Sequence, residues 1–281
     1  MADGGWKRWV RRWVVGEISW RRLAVSLATI YAGVGIFAWF LSDRLIFVPH
    51  EPGYSDATGV LKVPTADGGS VSAVHLPDAQ ARYTILYSHG NAEDLYDVQW
   101  LLAGLHDLGF SVLAYDYRGY GTSGGGAPSV KKACLDAEAA YDYLVKTLHV
   151  PPERILLYGR SVGSGFAVHL AARRPAAGLI LESPFITTFR VMTHWPLYPF
   201  DKLRNIRDIR DVKCPVFVMH GTADRVIPFW HGQAVYEAAP EPKQCLWIAG
   251  AGHNNMEEVA GRRINKALKA FAASLPGAQG R

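Results

Sequence analysis

From Tyr83 onward, short apolar runs recur with helix-like segments between most of them, and this alternation leaves few architectures open. The runs are "YTILYSHG" (83–90), "FSVLAYDY" (110–117), "RILLYGRS" (154–161), "AGLILES" (177–183), "PVFVMHG" (215–221) and "QCLWIAG" (244–250). Helix-like segments fall at 95–108, 130–148, 162–173, 230–239 and 256–274. In 130–148, Cys134, Leu135, Ala139, Tyr143 and Leu144 keep the three-to-four spacing of one helical face. Near-continuous apolar strands need cover on both sheet faces. The pattern therefore predicts an α/β fold with a mostly parallel central sheet. Residues 45–80 read differently. Their short pieces "LIFVP", "VLKVP" and "SVSAVHL", parted by Gly, Pro and Asp turns, predict antiparallel edge strands.

The stretch 184–212, "PFITTFRVMTHWPLYPFDKLRNIRDIRDV", breaks the rhythm. It is long for a connection, aromatic at first and then charged. Long connections in compact domains are usually functional or mobile, so this one is expected to form a small cap over the carboxyl edge of the sheet.

Upstream lies a segment of another kind. Leu23 to Leu41, "LAVSLATIYAGVGIFAWFL", runs 19 residues without a charge, enough to cross a hydrocarbon core of about 30 Å as a helix. Arg21 and Arg22 precede it, Asp43 and Arg44 follow it, and Trp20, Trp39 and Phe40 mark its ends as interfacial aromatics do. Residues 1–22 carry six basic and two acidic side chains, +4 of the chain's net +5. There, Trp6, Trp9, Val10 and Trp13 share one helical face while Lys7, Arg8, Arg11 and Arg12 project elsewhere. That is the pattern of an interfacial helix on anionic lipid. The expected organisation is a basic amphipathic segment (1–22), a transmembrane helix (23–41) and a main domain (42–281). A cleaved signal peptide fits less well, because the apolar run exceeds a signal core and no small-x-small site follows. The charge bias predicts a cytoplasmic N-terminus and a main domain on the extracytoplasmic side. The remainder of the chain is near neutral, which argues against a nucleic-acid-binding face. Cys134, Cys214 and Cys245 are odd in number and far apart, without metal-type spacing or a disulfide framework. Cys214 and Cys245 border apolar runs and are expected to be buried.

In such sheets, reacting groups gather at the carboxyl ends of the strands. "LYGRSVGSGF" (157–166) places Ser161 at the end of an apolar strand, just before a helix, between Gly159 and Gly163. A sharp strand-to-helix turn brings backbone close on both sides, and only glycine tolerates that. A serine hydroxyl needs a base and an acid that orients the base. "HGTADRVIP" puts Asp224 past the end of one later strand, and "AGHNN" puts His253 past the end of the next, in the order such a site requires. Alone, Asp224 reads equally well as a turn residue and His253 as a loop histidine. Together they point to a Ser161–His253–Asp224 relay. The backbone N–H of Val162 is one expected oxyanion donor. The second is Asn91 in "SHGNAED", with Ala92 the alternative. His89 and His220, each before a glycine, are expected to support their turns. The glycine-rich "DYRGYGTSGG" (116–125) lacks the lysine-serine/threonine ending of a phosphate cradle.

The pieces "SHGNAEDL", "YDYRGYGTSGG", "YGRSVGSG", "SPF", "PVFVMHGTADRVIPFWHG" and "GAGHN" resemble the α/β-hydrolase superfamily over residues 83–254. "HGNA", "DYRGYG" and "HGTAD…IPFWHG…AGHNN" look most like a membrane-associated branch. That branch holds fungal and bacterial membrane-anchored hydrolases and the animal serine hydrolases that remove palmitate from proteins. The resemblance implies an α/β-hydrolase fold and a serine hydrolase of acyl esters or thioesters, with no metal and no organic cofactor. It supports Ser161, Asp224 and His253 at matching positions. The chain departs from the animal depalmitoylases in one respect. They reach membranes through an acylated cysteine cluster, and residues 1–42 here contain no cysteine. The expected partners are a lipid membrane and a lipophilic acylated substrate. Phe185, Phe189, Met192, Trp195 and Trp230 are candidates either for an acyl-binding surface or for packing of the cap. A serine peptidase or amidase using the same relay, and a non-catalytic membrane-tethered scaffold, are the competing functions.

Overall fold

A computed structural model describes residues 19–56, 59–193 and 195–276. The chain divides into two compact units, Met1–Ser42 and Asp43–Arg281. The described part of the first unit is one helix, α1 (Trp20–Leu41), whose start is capped by Ser19 Oγ accepting the Arg22 N–H at 3.3 Å. It begins three residues before the uncharged run because Trp20, Arg21 and Arg22 continue the helix back to that cap. At 22 residues, with a mean hydropathy of 1.8 over its most apolar window, it is long and apolar enough to cross a membrane. The basic, tryptophan-bearing segment before Ser19 lies outside the described residues.

The second unit opens on a single helical turn, α2 (Asp43–Ile46). Eight strands follow: β1 (Val60–Pro64), β2 (Ser70–Leu76), β3 (Thr84–Ser88), β4 (Ser111–Tyr115), β5 (Ile155–Arg160), β6 (Gly178–Glu182), β7 (Val216–Gly221) and β8 (Lys243–Ile248). They form one sheet in the order β1-β2-β4-β3-β5-β6-β7-β8. β1 pairs antiparallel with β2, and β2 with β4; every other pairing is parallel. All six apolar runs of the sequence are therefore strands of the parallel part, and the expected antiparallel edge stands beside them. β3, β4, β6 and β7 are buried along their whole length, and β5 up to Arg160.

That burial requires helices on both faces. On one face lie α4 (Val130–Asp142), α5 (Gly163–Ala171) and α8 (Trp230–Ala238), which place Ala133, Ala137, Phe166, Val168 and Val235 in the core. The opposite face is covered by α3 (Gln99–Asp107) and α9 (Met256–Ser274), through Leu102, Leu105, Ile264, Leu268 and Phe271. Ser129 caps α4 by accepting the Lys132 N–H at 3.2 Å, and the helix ends in a wider turn, Tyr143–Thr147, inside the span expected from its periodicity. The 184–212 segment leaves the carboxyl end of β6 and returns at β7, carrying two short helices, α6 (Thr188–Met192) and α7 (Asn205–Asp208).

Two expectations are corrected. "LIFVP" is not a strand. Asp43–Ile46 is helical, and the Val48 N–H is taken by the Asn91 Oδ1 and the Tyr120 hydroxyl, both at 3.0 Å, rather than by a ladder. Phe47 is instead a core plug, 2% exposed, its ring 6.2 Å from Phe166 and 6.3 Å from Tyr117. Cys214 is buried as expected but Cys245 is exposed, because β8 is the last strand of the sheet and is covered incompletely.

Phe166 is fully buried and touches both Phe47 and Tyr117, so its truncation leaves a cavity that this three-ring contact cannot close. Phe166→Ala is expected to lower stability by about 3–5 kcal/mol. Urea denaturation read by circular dichroism checks this, and a loss below about 1 kcal/mol would contradict it.

Candidate active site

Ser161 follows the last residue of β5 and adopts a left-handed backbone, φ +54°. A serine held there stores strain on the order of 1–3 kcal/mol. The surroundings hold it in place. Its N–H donates to the Glu182 carbonyl at 2.9 Å. Its own carbonyl accepts the Ser164 N–H at 3.0 Å and the Ser164 hydroxyl at 2.6 Å. A Cβ on Gly159 would lie 2.6 Å from the Ser164 Cα, and one on Gly163 would run into the carbonyl oxygens of Ser88 and His89. Both glycines are thus required by close backbone approach, as the motif suggested.

The loops after β7 and β8 bring the other two residues to this turn. His253 Nε2 lies 3.0 Å from Ser161 Oγ, and Nδ1 lies 2.7 Å from Asp224 Oδ2. Asp224 is 6% exposed, and its Oδ1 accepts the N–H groups of Val226 at 2.9 Å and Ile227 at 2.8 Å. Burial alone would push this carboxyl up. Hydrogen bonds from His220 and His253 outweigh burial and hold it below the usual carboxylate range. An ionised Asp224 fixes the proton of His253 on Nδ1, which leaves Nε2 to accept from the Ser161 hydroxyl. Its place before Gly221 predicts for His220 only a role in its own turn. It does hold that turn, with Nε2 2.8 Å from the Ile227 carbonyl, but it also stands 3.3 Å from Asp224 Oδ2.

The backbone N–H groups of Val162 and Asn91 donate to no protein acceptor among the described residues. Ala92, the alternative donor, is spent: its N–H is held by the Asn91 Oδ1 at 2.9 Å. That oxygen also accepts from Tyr120 at 2.9 Å, so the Asn91 side chain locks its own loop. His89 anchors the same loop, its carbonyl accepting the Tyr117 hydroxyl at 2.7 Å. Burial drives the His89 ring down to about 4, so it is neutral here.

The apolar candidates separate. Phe185 is 3% exposed and belongs to the core. Phe189 is half-buried, with its ring 6.1 Å from Phe200. Trp230 is half-buried on the core and stacks on His231 at 3.8 Å. Met192 and Trp195 stand out at 87% and 75% exposure. His50, Asp94 and Asp97 bring ligand-type atoms within 4.8 Å of one another. Asp94 is already filled by the N–H groups of Gly53, Tyr96 and Asp97, which makes this group a turn lock rather than a metal cradle.

His231, buried beside the relay, accepts the Ile186 N–H through Nδ1 at 3.2 Å. Burial, aided by His220 and Arg190, pulls its pKa from 6.5 down to about 4. The unfolded chain therefore takes up this proton first as the pH falls. The stability from neutral His231 is complete above about pH 6.5 and is lost as the pH falls toward 4, by roughly 3 kcal/mol in all. Unfolding free energies measured from pH 7 to 4.5 should fall more steeply for the wild type than for His231→Gln, and parallel curves would refute this.

Residues 79–206 match the family model described as serine aminopeptidase, S33. The chain is 39% identical over 232 residues to the mouse (Mus musculus) alpha/beta hydrolase domain-containing protein 17C, covering 80% of this chain and 71% of that protein. It is 40% identical over 198 residues to the 17B protein of Xenopus laevis, covering 69% and 67%. With aho-3 of Caenorhabditis elegans the identity is 42% over 187 residues, and the match spans 64% of this chain but only 55% of that protein. Among solved structures, an esterase from Pyrococcus furiosus, Pf2001, superposes with a TM-score of 0.69 at 20% identity, covering 81% of this chain and 99% of its own. The esterase RhEst1 from Rhodococcus sp. ECU1013 gives 0.63 at 18% identity, covering 78% and 100%. These last two likenesses carry the fold, and the sequence matches carry the kinship: the chain is a hydrolase of the α/β-hydrolase superfamily and belongs to the alpha/beta hydrolase domain-containing protein 17 family.

Proposed function

We propose that this protein is a membrane-anchored serine hydrolase that cleaves lipophilic acyl esters or thioesters, in the manner of a depalmitoylase. The observation that carries the proposal is the unbroken relay from Ser161 Oγ through His253 to a buried, ionised Asp224, at 3.0 and 2.7 Å. Ser161 attacks the acyl carbonyl while His253 Nε2 takes its proton. The free N–H groups of Val162 and Asn91 receive the charge that develops on the carbonyl oxygen. His253 returns the proton to the leaving alcohol or thiol. A water activated by the same nitrogen then releases the acid from the acyl-enzyme. Half-buried Phe189 and Trp230, with exposed Met192 and Trp195, supply apolar surface for an acyl chain. Neither metal nor organic cofactor has a step in this scheme.

The test is labelling by a fluorophosphonate probe on the full-length, detergent-solubilised protein. Wild type should label, Ser161→Ala should not, and Asp224→Asn should label about 10³–10⁴ times more slowly. A folded wild type that does not label sinks the proposal in favour of the scaffold reading. The family description of serine aminopeptidases favours one second reading, an amide-cleaving enzyme. A panel of short esters, long-chain acyl thioesters and aminoacyl amides separates the two. Turnover of long-chain thioesters above amides is expected, and the reverse order would select the peptidase.

Helix α1 anchors the protein, and the basic excess of residues 1–22 keeps the N-terminus cytoplasmic and the hydrolase domain on the other side. Protease added outside intact spheroplasts should cut the hydrolase domain. Protection there, with cutting only after lysis, would reverse the orientation.

A further inference from the structure

We propose that Arg160 is a positioning residue that ties the serine turn, the histidine loop and the oxyanion-donor loop to one another. This rests on the roles given above to Ser161, His253 and Asn91. Arg160 immediately precedes Ser161, and its side chain is only 14% exposed. Its Nε donates to Glu182 Oε1 at 3.2 Å, its Nη2 to Asn254 Oδ1 at 3.1 Å, and its Nη1 to Glu93 Oε1. Each acceptor leads to a different part of the site. Glu93 uses its other oxygen to hold the Gly90 N–H at 2.8 Å, next to Asn91. Asn254 adjoins His253. Glu182 accepts the Ser161 N–H through its carbonyl at 2.9 Å, and its second carboxylate oxygen accepts the Tyr158 hydroxyl at 2.6 Å.

The partners lie 22, 67 and 94 residues from Arg160, so the guanidinium joins segments that are remote in the chain. Only a planar group with several fixed donors can serve three acceptors in different directions; a lysine ammonium at the end of a flexible stem cannot. Burial works against the Arg160 charge, but Glu182 opposes that effect and the group stays fully protonated. Ion pairs of this kind add little net stability, because desolvation offsets attraction. Geometry is the better account of a guanidinium in this place. A displacement of about 1 Å at a reacting group is enough to cost about 100-fold in rate.

The structure supplies a test that a merely structural salt bridge would not pass. A cavity of about 120 Å³ opens beside Arg160, Glu182, His253 and Asn254, with Trp100 and Met256 among its walls, and Ser161 is not part of its lining. In Arg160→Ala, the space vacated by the side chain joins this cavity. Free guanidinium can then reach Glu93 and Glu182 without crossing the acyl site. The readouts are the rate of fluorophosphonate labelling and kcat and KM for an ester, on the full-length protein in detergent. Arg160→Ala should lose about 10- to 100-fold in labelling rate and in kcat at nearly constant KM. Millimolar guanidinium should restore part of the loss saturably, while urea, of the same shape but neutral, should not. Arg160→Lys should remain low. Asn254→Ala, which removes only the link to the histidine loop, should lose several-fold and keep its unfolding temperature, so that a poorly folding Arg160→Ala would not stall the test. Wild-type labelling rates in both Arg160→Lys and Asn254→Ala would overturn the inference. So would a loss in Arg160→Ala that follows the unfolded fraction and ignores guanidinium. If the wild type itself fails to label, it is the underlying hydrolase reading that has failed.

Discussion

The left-handed backbone of Ser161 is the constraint from which the rest of the architecture follows. Such a conformation persists only where neighbouring groups over-determine it. Here the Ser161 N–H reaches the carbonyl of Glu182 at the end of β6, and Gly163 abuts the carbonyls of Ser88 and His89 at the end of β3. β5 must therefore run between β3 and β6, which is where the sheet order places it. A strand enclosed on both sides and both faces can carry no charge until its last residue, and Arg160 is that residue. The helix that follows must approach the sheet closely, which accounts for Gly163, Ser164 and Gly165 all being buried at its start.

The site then depends on how one buried carboxylate is kept ionised. Asp116 and Asp224 are both buried aspartates, and they end in opposite states. Asp224 receives two backbone N–H groups and faces two histidines, and its carboxyl is held down. Asp116 has the Tyr54 hydroxyl at 2.5 Å and the neutral His89 ring at 3.4 Å. For Asp116 burial prevails and lifts the carboxyl to about 8, so it keeps its proton at neutral pH. At Asp224 the hydrogen bonds outweigh burial, whereas at Asp116 burial, reinforced by Asp94 and Asp97, outweighs the hydrogen bond from Tyr54. A charged Asp224 can orient His253 and stabilise an imidazolium; a protonated one could not.

What the sequence made legible is what short-range rules govern. Strand runs, helix periods and the two glycines around Ser161 are local, and each was placed within a few residues. The Ser–Asp–His order could be read because every member sits just past a strand end, where one-dimensional order translates into position. Contacts set by tertiary packing were not legible. "LIFVP" has a strand's composition, but Phe47 has a better partner in Phe166 and Tyr117 than any ladder could offer. Cys245 borders an apolar run, yet the edge position of β8 exposes it. His220 and Arg160 lie inside the quoted motifs, but nothing in those motifs announces their partners. His220 shows its second contact only once the turn folds back on Asp224, and the partners of Arg160 come from the end of β6 and from two separate loops.

On the proposed reading, the relay provides the nucleophile and the cap selects what meets it. The cap has two ends of different character. Its root is fixed: Phe185, Ile186 and Leu203 are buried in the core, and Asp201 clasps the Thr187 hydroxyl at 2.5 Å and the N–H groups of Phe189 and Lys202 at 2.9 and 2.7 Å. Lys202 in turn pairs with Asp43 at 2.8 Å, so the root is tied to the residue that opens the hydrolase unit. Among the described residues of its outer part, Met192, Trp195 and Leu197 are 87%, 75% and 55% exposed. Apolar surface left in water costs about 25 cal/mol per Å². A peptide laid on such a surface would lose water from its amide groups and find few hydrogen bonds in return. An acyl chain has no such groups to satisfy and gains from every methylene it covers. On the proposed reading, exposed side chains of this kind suit the fatty side of the reaction better than the peptide side, whereas the relay would serve either.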